Sequence, residues 1–202
     1  MSAHIKEGSI MSDAKGKLHY WDAFWDLRVD ECPCDVHFCD WLEKNDIRNK
    51  SIFHFGTGGH HIVGVRTAEN GSGNCVLGIT AAPQEYETFI TLAIERPEVE
   101  KTYKTFFGDI YQLDARLLPD FDVVTLFHLC EFRTEKNDLY GALTDRQVLD
   151  MLTDKTRKGG YILFYTKSFA FDSAEKIVKV WEKEAAVEKV GLYETLLVYR
   201  KK

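Results

Sequence analysis

Several features are missing from this 202-residue chain, and each absence excludes something. No apolar run approaches the ~18 residues of a membrane-spanning helix. Residues 1–16 are polar and lack an apolar h-region, so they do not read as a signal peptide. The five cysteines are an odd number, and a chain this long does not need disulfide staples. Together these features suggest a reduced, cytoplasmic protein. Basic charge is in the minority, with 26 Lys+Arg against 32 Asp+Glu and a net charge of −6. The electrostatic footprint of a dedicated nucleic-acid binder is therefore lacking. Internal repeats, low-complexity segments and a second-domain linker are absent as well. What remains is ordinary globular usage, 45% hydrophobic and 29% charged, in a chain able to bury roughly 70% of its unfolded surface.

Residues 1–18 carry almost no apolar pattern and read as a mobile tail. Residues 19–202 read as one domain whose first part, 19–49, forms an aromatic and helical cap. Phe38, Trp41 and Leu42 fall at helical spacing there, between Cys34 and Asn45. From residue 50 short apolar runs alternate with amphipathic stretches. Strands are expected at 51–55, 75–79, 105–107, 121–129 and 161–166. Helices are expected at 60–68, 83–95, 145–158 and 172–185. Gly159-Gly160 is read as the stop of the third of these helices. Such alternation predicts an α/β fold, doubly wound, with a mostly parallel seven-stranded sheet and helices on both faces. The last two strands, 187–193 and 194–199, follow with almost no connection and can pair only as an antiparallel hairpin.

Gly56-Thr57-Gly58-Gly59 lies between a strand and a helix, where glycine allows a tight turn and close approach to a ligand. Val76-Leu77-Gly78-Ile79 ends the second strand, and Gly108-Asp109-Ile110 follows the third. Phe121-Asp122-Val123-Val124 opens the fourth, with His128 to Glu131 after it, and Lys158-Gly159-Gly160 precedes the fifth. In this order and spacing, over residues 20–200, the chain resembles the class I S-adenosylmethionine-dependent methyltransferases. The resemblance implies a Rossmann-like fold and S-adenosylmethionine as cofactor. It implies cofactor contacts from Phe55, Gly56, Thr57, Gly58, Thr80, Asp109, Ile110 and His128, with Trp21 as an aromatic lid. Asp109 takes the place of the acid that accepts from the adenine amino group.

Two positions depart from that pattern. His54 stands where the family carries Asp or Glu two residues before the first glycine. Thr80 stands where an acid accepts from both ribose hydroxyls. Losing charged hydrogen bonds costs about 1–3 kcal/mol, or roughly 10- to 100-fold in affinity. Glu85, about one helical turn further on, can compensate. Thr80→Asp, which restores an acceptor pair for the ribose, is expected to tighten binding.

His54, His60, His61 and His128 gather near this edge. Adjacent His60 and His61 cannot easily converge on one ion from a helix, so no metal is assigned and the histidines are read as a polar pocket wall. His128 and Glu131 are the candidate catalytic bases, since imidazole takes up protons near neutral pH. Cys32, Cys34, His37 and Cys39 lack the paired Cys-x2–4-Cys spacing of structural zinc and read as packing residues. Tyr20, Trp21, Phe24 and Trp25 either pack in the core or cover the ligand, where aromatic faces suit a sulfonium. Residues 131–143 form a long loop over the C-terminal edge of the sheet, where open α/β folds bind ligands. The reading is a methyltransferase acting on a small molecule. The alternative is a binding or regulatory protein that keeps the fold with a disabled cofactor site.

Overall fold

The computed structural model describes the backbone of residues 9–12 and 16–19, and residues 24–202 in full. In chain order the strands are β1 (Ser9–Ser12), β2 (Gly16–His19), β3 (Ser51–Phe55), β4 (Cys75–Thr80), β5 (Tyr103–Phe107), β6 (Phe121–Thr125), β7 (Thr156–Tyr165), β8 (Val187–Tyr193) and β9 (Leu196–Lys201). The helices are α1 (Cys34–Lys44), α2 (Ile62–Glu69), α3 (Pro83–Glu95), α4 (Pro97–Glu100), α5 (Glu135–Asp138), α6 (Asp145–Lys155) and α7 (Phe171–Glu184). β1 and β2 pair antiparallel, in the segment where the sequence pattern showed no element.

The other strands form one seven-stranded sheet in the order β5-β4-β3-β6-β7-β9-β8. The first five are parallel, and β9 runs antiparallel to both β7 and β8, as the closing hairpin required. Successive strand residues point to opposite faces. Ile52, Val123, Leu163 and Val198 therefore enter a core with Phe38, Trp41, Val63 and Phe89 from α1, α2 and α3. Their neighbours Phe53, Val124, Ile162 and Leu197 enter a second core with Leu149, Leu152, Val178 and Trp181 from α6 and α7. Burial of both faces is why the strands read as continuous apolar runs.

Three of the boundaries that differ from the sequence reading bear on the site or on its glycines. α6 stops at Lys155, and Gly159-Gly160 lies inside β7, where Gly159 adopts φ +79° beside a register shift against β6. The glycines serve a strand irregularity rather than a helix cap. β6 ends at Thr125, so residues 126–129 leave the sheet and carry His128 over its edge. α2 begins at Ile62 because His61, at φ +48°, breaks the turn before it. Among the described residues no helix is long and apolar enough to cross a membrane.

Candidate functional site

A cavity of about 390 Å³ opens above the C-terminal ends of β3, β4, β5 and β6. That volume is within the range of small-ligand pockets. The parallel strands all deliver their following loops to this edge, which is why residues far apart in sequence meet there.

Gly56 and Gly58 form its floor, with φ +85° and +54°. A Cβ on Gly56 would stand 2.6 Å from the His128 ring, and one on Gly58 would stand 2.4 Å from that of His60. Only glycine satisfies both the backbone conformation and the crowding. Phe55, Thr80, Asp109 and Ile110 also line the cavity. Thr57 does not. Its side chain turns inward onto Gly78, because the core beneath the turn has room only above a glycine. Trp21 lies outside the described residues, as does Tyr20. Phe24 packs on Gly59, the Trp25 carbonyl accepts from the Gly59 N–H at 2.9 Å, and both rings are half exposed. Neither ring packs in the core, and of the two only Trp25 lines the cavity.

Thr80 donates to a Glu85 carboxylate oxygen at 2.7 Å. Glu85 is buried and lines the cavity from the first turn of α3. Burial raises its pKa, against the Thr80 hydroxyl and the Trp25 backbone N–H, which favour the carboxylate. Asp109 accepts the Tyr111 N–H at 2.9 Å on one oxygen, and the Tyr140 hydroxyl at 2.9 Å and Asn137 amide at 3.3 Å on the other. The long loop after β6 thus folds down on Asp109, with α5 held by a capping box between Thr134 and Asn137.

His128 Nδ1 meets Glu131 Oε2 at 2.9 Å on the cavity wall. Burial would lower the histidine's pKa, but the Glu131 hydrogen bond and charge outweigh it and raise the value. The other histidines part company. His61 is a core residue, bonded to the Tyr103 hydroxyl at 2.8 Å and Thr88 Oγ1 at 2.9 Å. His54 Nδ1 meets Thr125 Oγ1 at 2.8 Å beneath the glycine turn. The cysteines part as well. Cys32 and Cys34 line the cavity with sulfurs 3.5 Å apart, whereas Cys39 is buried in the core and His37 bonds Thr195. Their hydrogen bond holds the Cys32 thiol down to about 6, helped by the positive field of His128, while Cys34 is pushed well up. Among the described residues no group of three His, Cys, Asp or Glu side chains could hold a metal ion.

The sequence reading did not assign Asp35, Cys32, Cys34 or Tyr165 to the site, although all line the cavity, whereas His60 lines it as the polar pocket wall expected. All but Tyr165 carried a visible signal as polar or thiol groups beside the glycine turn or at the start of a helix. Their convergence is decided by how α1 packs on the sheet.

Sheet order, closing hairpin and cavity position define a class I methyltransferase fold. Solved structures bear this out. The chain superposes on precorrin-6y C5,15-methyltransferase from Geobacter metallireducens with a TM-score of 0.59 at 13% identity, covering 89% of this chain and 94% of that one. The N-methyltransferase NodS of Bradyrhizobium japonicum gives 0.54 at 14% identity, covering 85% and 98%. The [4+2]-cyclase SpnF gives 0.57 at 14%, covering 89% and 64%. No family model matches the sequence, and no curated protein does.

Proposed function

We propose that the chain is an S-adenosylmethionine-dependent methyltransferase acting on a small molecule. The observation that carries this reading is the Thr80–Glu85 pair. It sets a buried carboxylate at the end of β4, where the sequence lacks the acid that would hold a ribose. Gly56 and Gly58 form a cradle that a Cβ would fill, so the residues present fit the cofactor. When bound, the cofactor supplies a methyl group already activated by its sulfonium.

The chain's own task is to position an acceptor and exclude water. Glu85 accepts from the ribose hydroxyls, and the glycine turn lets the backbone approach closely. Phe55, Phe132, Tyr165 and Phe169 give the cavity an apolar wall for an organic acceptor. His128, oriented by Glu131, holds or takes the acceptor's proton at Nε2. An acidic net charge and a cavity of small-ligand size favour a small acceptor over a nucleic acid.

A second reading, a protein of this fold that binds without transferring methyl, is favoured by Asp109, whose two oxygens already take three donors from the chain. Titration calorimetry with S-adenosylhomocysteine separates the two. Saturable binding that Glu85→Gln weakens by about 10-fold or more supports the transferase reading. No heat and no thermal shift at millimolar ligand would remove it.

A further inference from the structure

Asp35 is a deeply buried carboxylate of the cavity, 5% exposed on the first turn of α1. His54 Nε2 stands 3.6 Å from Oδ1, His60 Nε2 stands 3.7 Å from Oδ2, and the Cys34 thiol points to Oδ1 at 3.6 Å. Among the described residues no Lys or Arg pairs with it. Arg28, on the same cavity, is taken by Glu31 at 3.3 Å and lies over the Trp25 ring.

Neither imidazole supplies the missing charge. Burial lowers His54 to about 3 and His60 to about 4. The Ile62 backbone N–H donates to His60 Nδ1 at 3.2 Å, which leaves the ring's one proton on Nε2, facing Asp35. His54 Nε2 is buried and has no hydrogen-bond partner. Burial lifts the Asp35 carboxyl to about 7; His128 works against the rise, and Cys32 and Glu85 add to it. A buried acid without a cation is costly to ionise, and a cationic ligand removes that cost.

We propose that Asp35 is the anionic half of a primary-ammonium subsite beside the glycine turn, and that its occupant is the α-ammonium of the cofactor's amino-acid arm. This rests on the function proposed above. An ammonium brings N–H donors to the two carboxylate oxygens of Asp35, which lines the cavity. The subsite adjoins the cradle, since His54 precedes Phe55-Gly56 and the His60 ring crowds Gly58. The N-terminal helix would thus restore, from another element, the acid that β3 lacks at His54.

The test is calorimetry with S-adenosylhomocysteine and with 5′-methylthioadenosine, which has the same nucleoside but no ammonium. Wild-type protein and Asp35→Asn are compared at pH 6 and pH 8. Affinity of the wild type for S-adenosylhomocysteine should rise about 10-fold between the two pH values as Asp35 ionises, while methylthioadenosine stays flat. Asp35→Asn should lose that rise, bind S-adenosylhomocysteine at least about 10-fold more weakly at pH 8, and leave methylthioadenosine unchanged. Should the variant fail to fold, proton release by the wild type, measured in two buffers of different ionisation heat at pH 6.5, gives the same answer. Equal affinity and an equal pH profile for variant and wild type, or no proton release, would overturn the proposal. If neither nucleoside binds the wild type, the function reading fails instead. Phenethylamine then tests Asp35 as an ammonium site alone, with weaker binding by Asp35→Asn supporting it and no difference sinking it.

Discussion

His128 Nδ1 sits 2.9 Å from Glu131 Oε2, three residues further along a chain that has just left the sheet. The contact turns the ring so that its other edge crowds Gly56, and it leaves Nε2 toward the cavity. A carboxylate on one nitrogen raises the basicity of the other.

His128→Ala should therefore leave S-adenosylhomocysteine affinity within a few-fold and lower turnover by about 10²-fold once an acceptor is known. Turnover by the wild type should rise with pH as the raised His128 loses its proton. Glu131→Gln removes the group that holds the proton on, so the rise should move to lower pH. A pH–rate profile unmoved by Glu131→Gln would show that His128 is not the titrating base.

Thr80→Asp should fail to tighten binding, contrary to the expectation from sequence. The Thr80 hydroxyl is 2.7 Å from Glu85 Oε2, and two carboxylates at that spacing cannot both ionise. Calorimetry should show equal or weaker affinity. Tighter binding would mean that Glu85 is not the ribose acceptor.

Cys32 should be alkylated by iodoacetamide at pH 7 before Cys39 and Cys130, because it is held at about 6 while they are pushed up to about 12. Saturating S-adenosylhomocysteine should slow the reaction, since Cys32 lines the same cavity. Peptide mapping by mass spectrometry reads both effects. Preferential labelling of Cys39 would contradict this arrangement of thiols.

Stability should fall on acidification below about pH 6.5. His54, His60 and His61 are lowered by burial to about 3, 4 and 4. A lowered folded pKa gives stability that is complete above the unfolded value and is lost as pH falls toward the folded one. Asp35 has the opposite sign, raised to about 7, so its contribution is lost as pH rises through that value. Three histidines outweigh one carboxyl. Urea melts from pH 7.5 to 4.5 should lose on the order of a few kcal/mol. A flat or rising profile would show that the rings are not buried neutral.

The amino-acid sequence by itself determined the layered α/β architecture. The runs around Ile52, Val76, Val123 and Ile162 are apolar on both faces, which only a covered parallel sheet explains, and the closing pair of strands left no room for a crossover. It also marked Gly56, Gly58, Thr80 and His128 as neighbours of one edge, because each follows a strand at a countable distance. The tertiary structure decided which groups point into the cavity. Asp35 and Cys32 belong to it only because α1 packs Phe38 and Trp41 against the sheet and so carries its first turn to the glycine loop. Thr57 is lost from it because its side chain fits above Gly78. Such placements depend on packing between elements distant in sequence, and local periodicity holds no record of that packing.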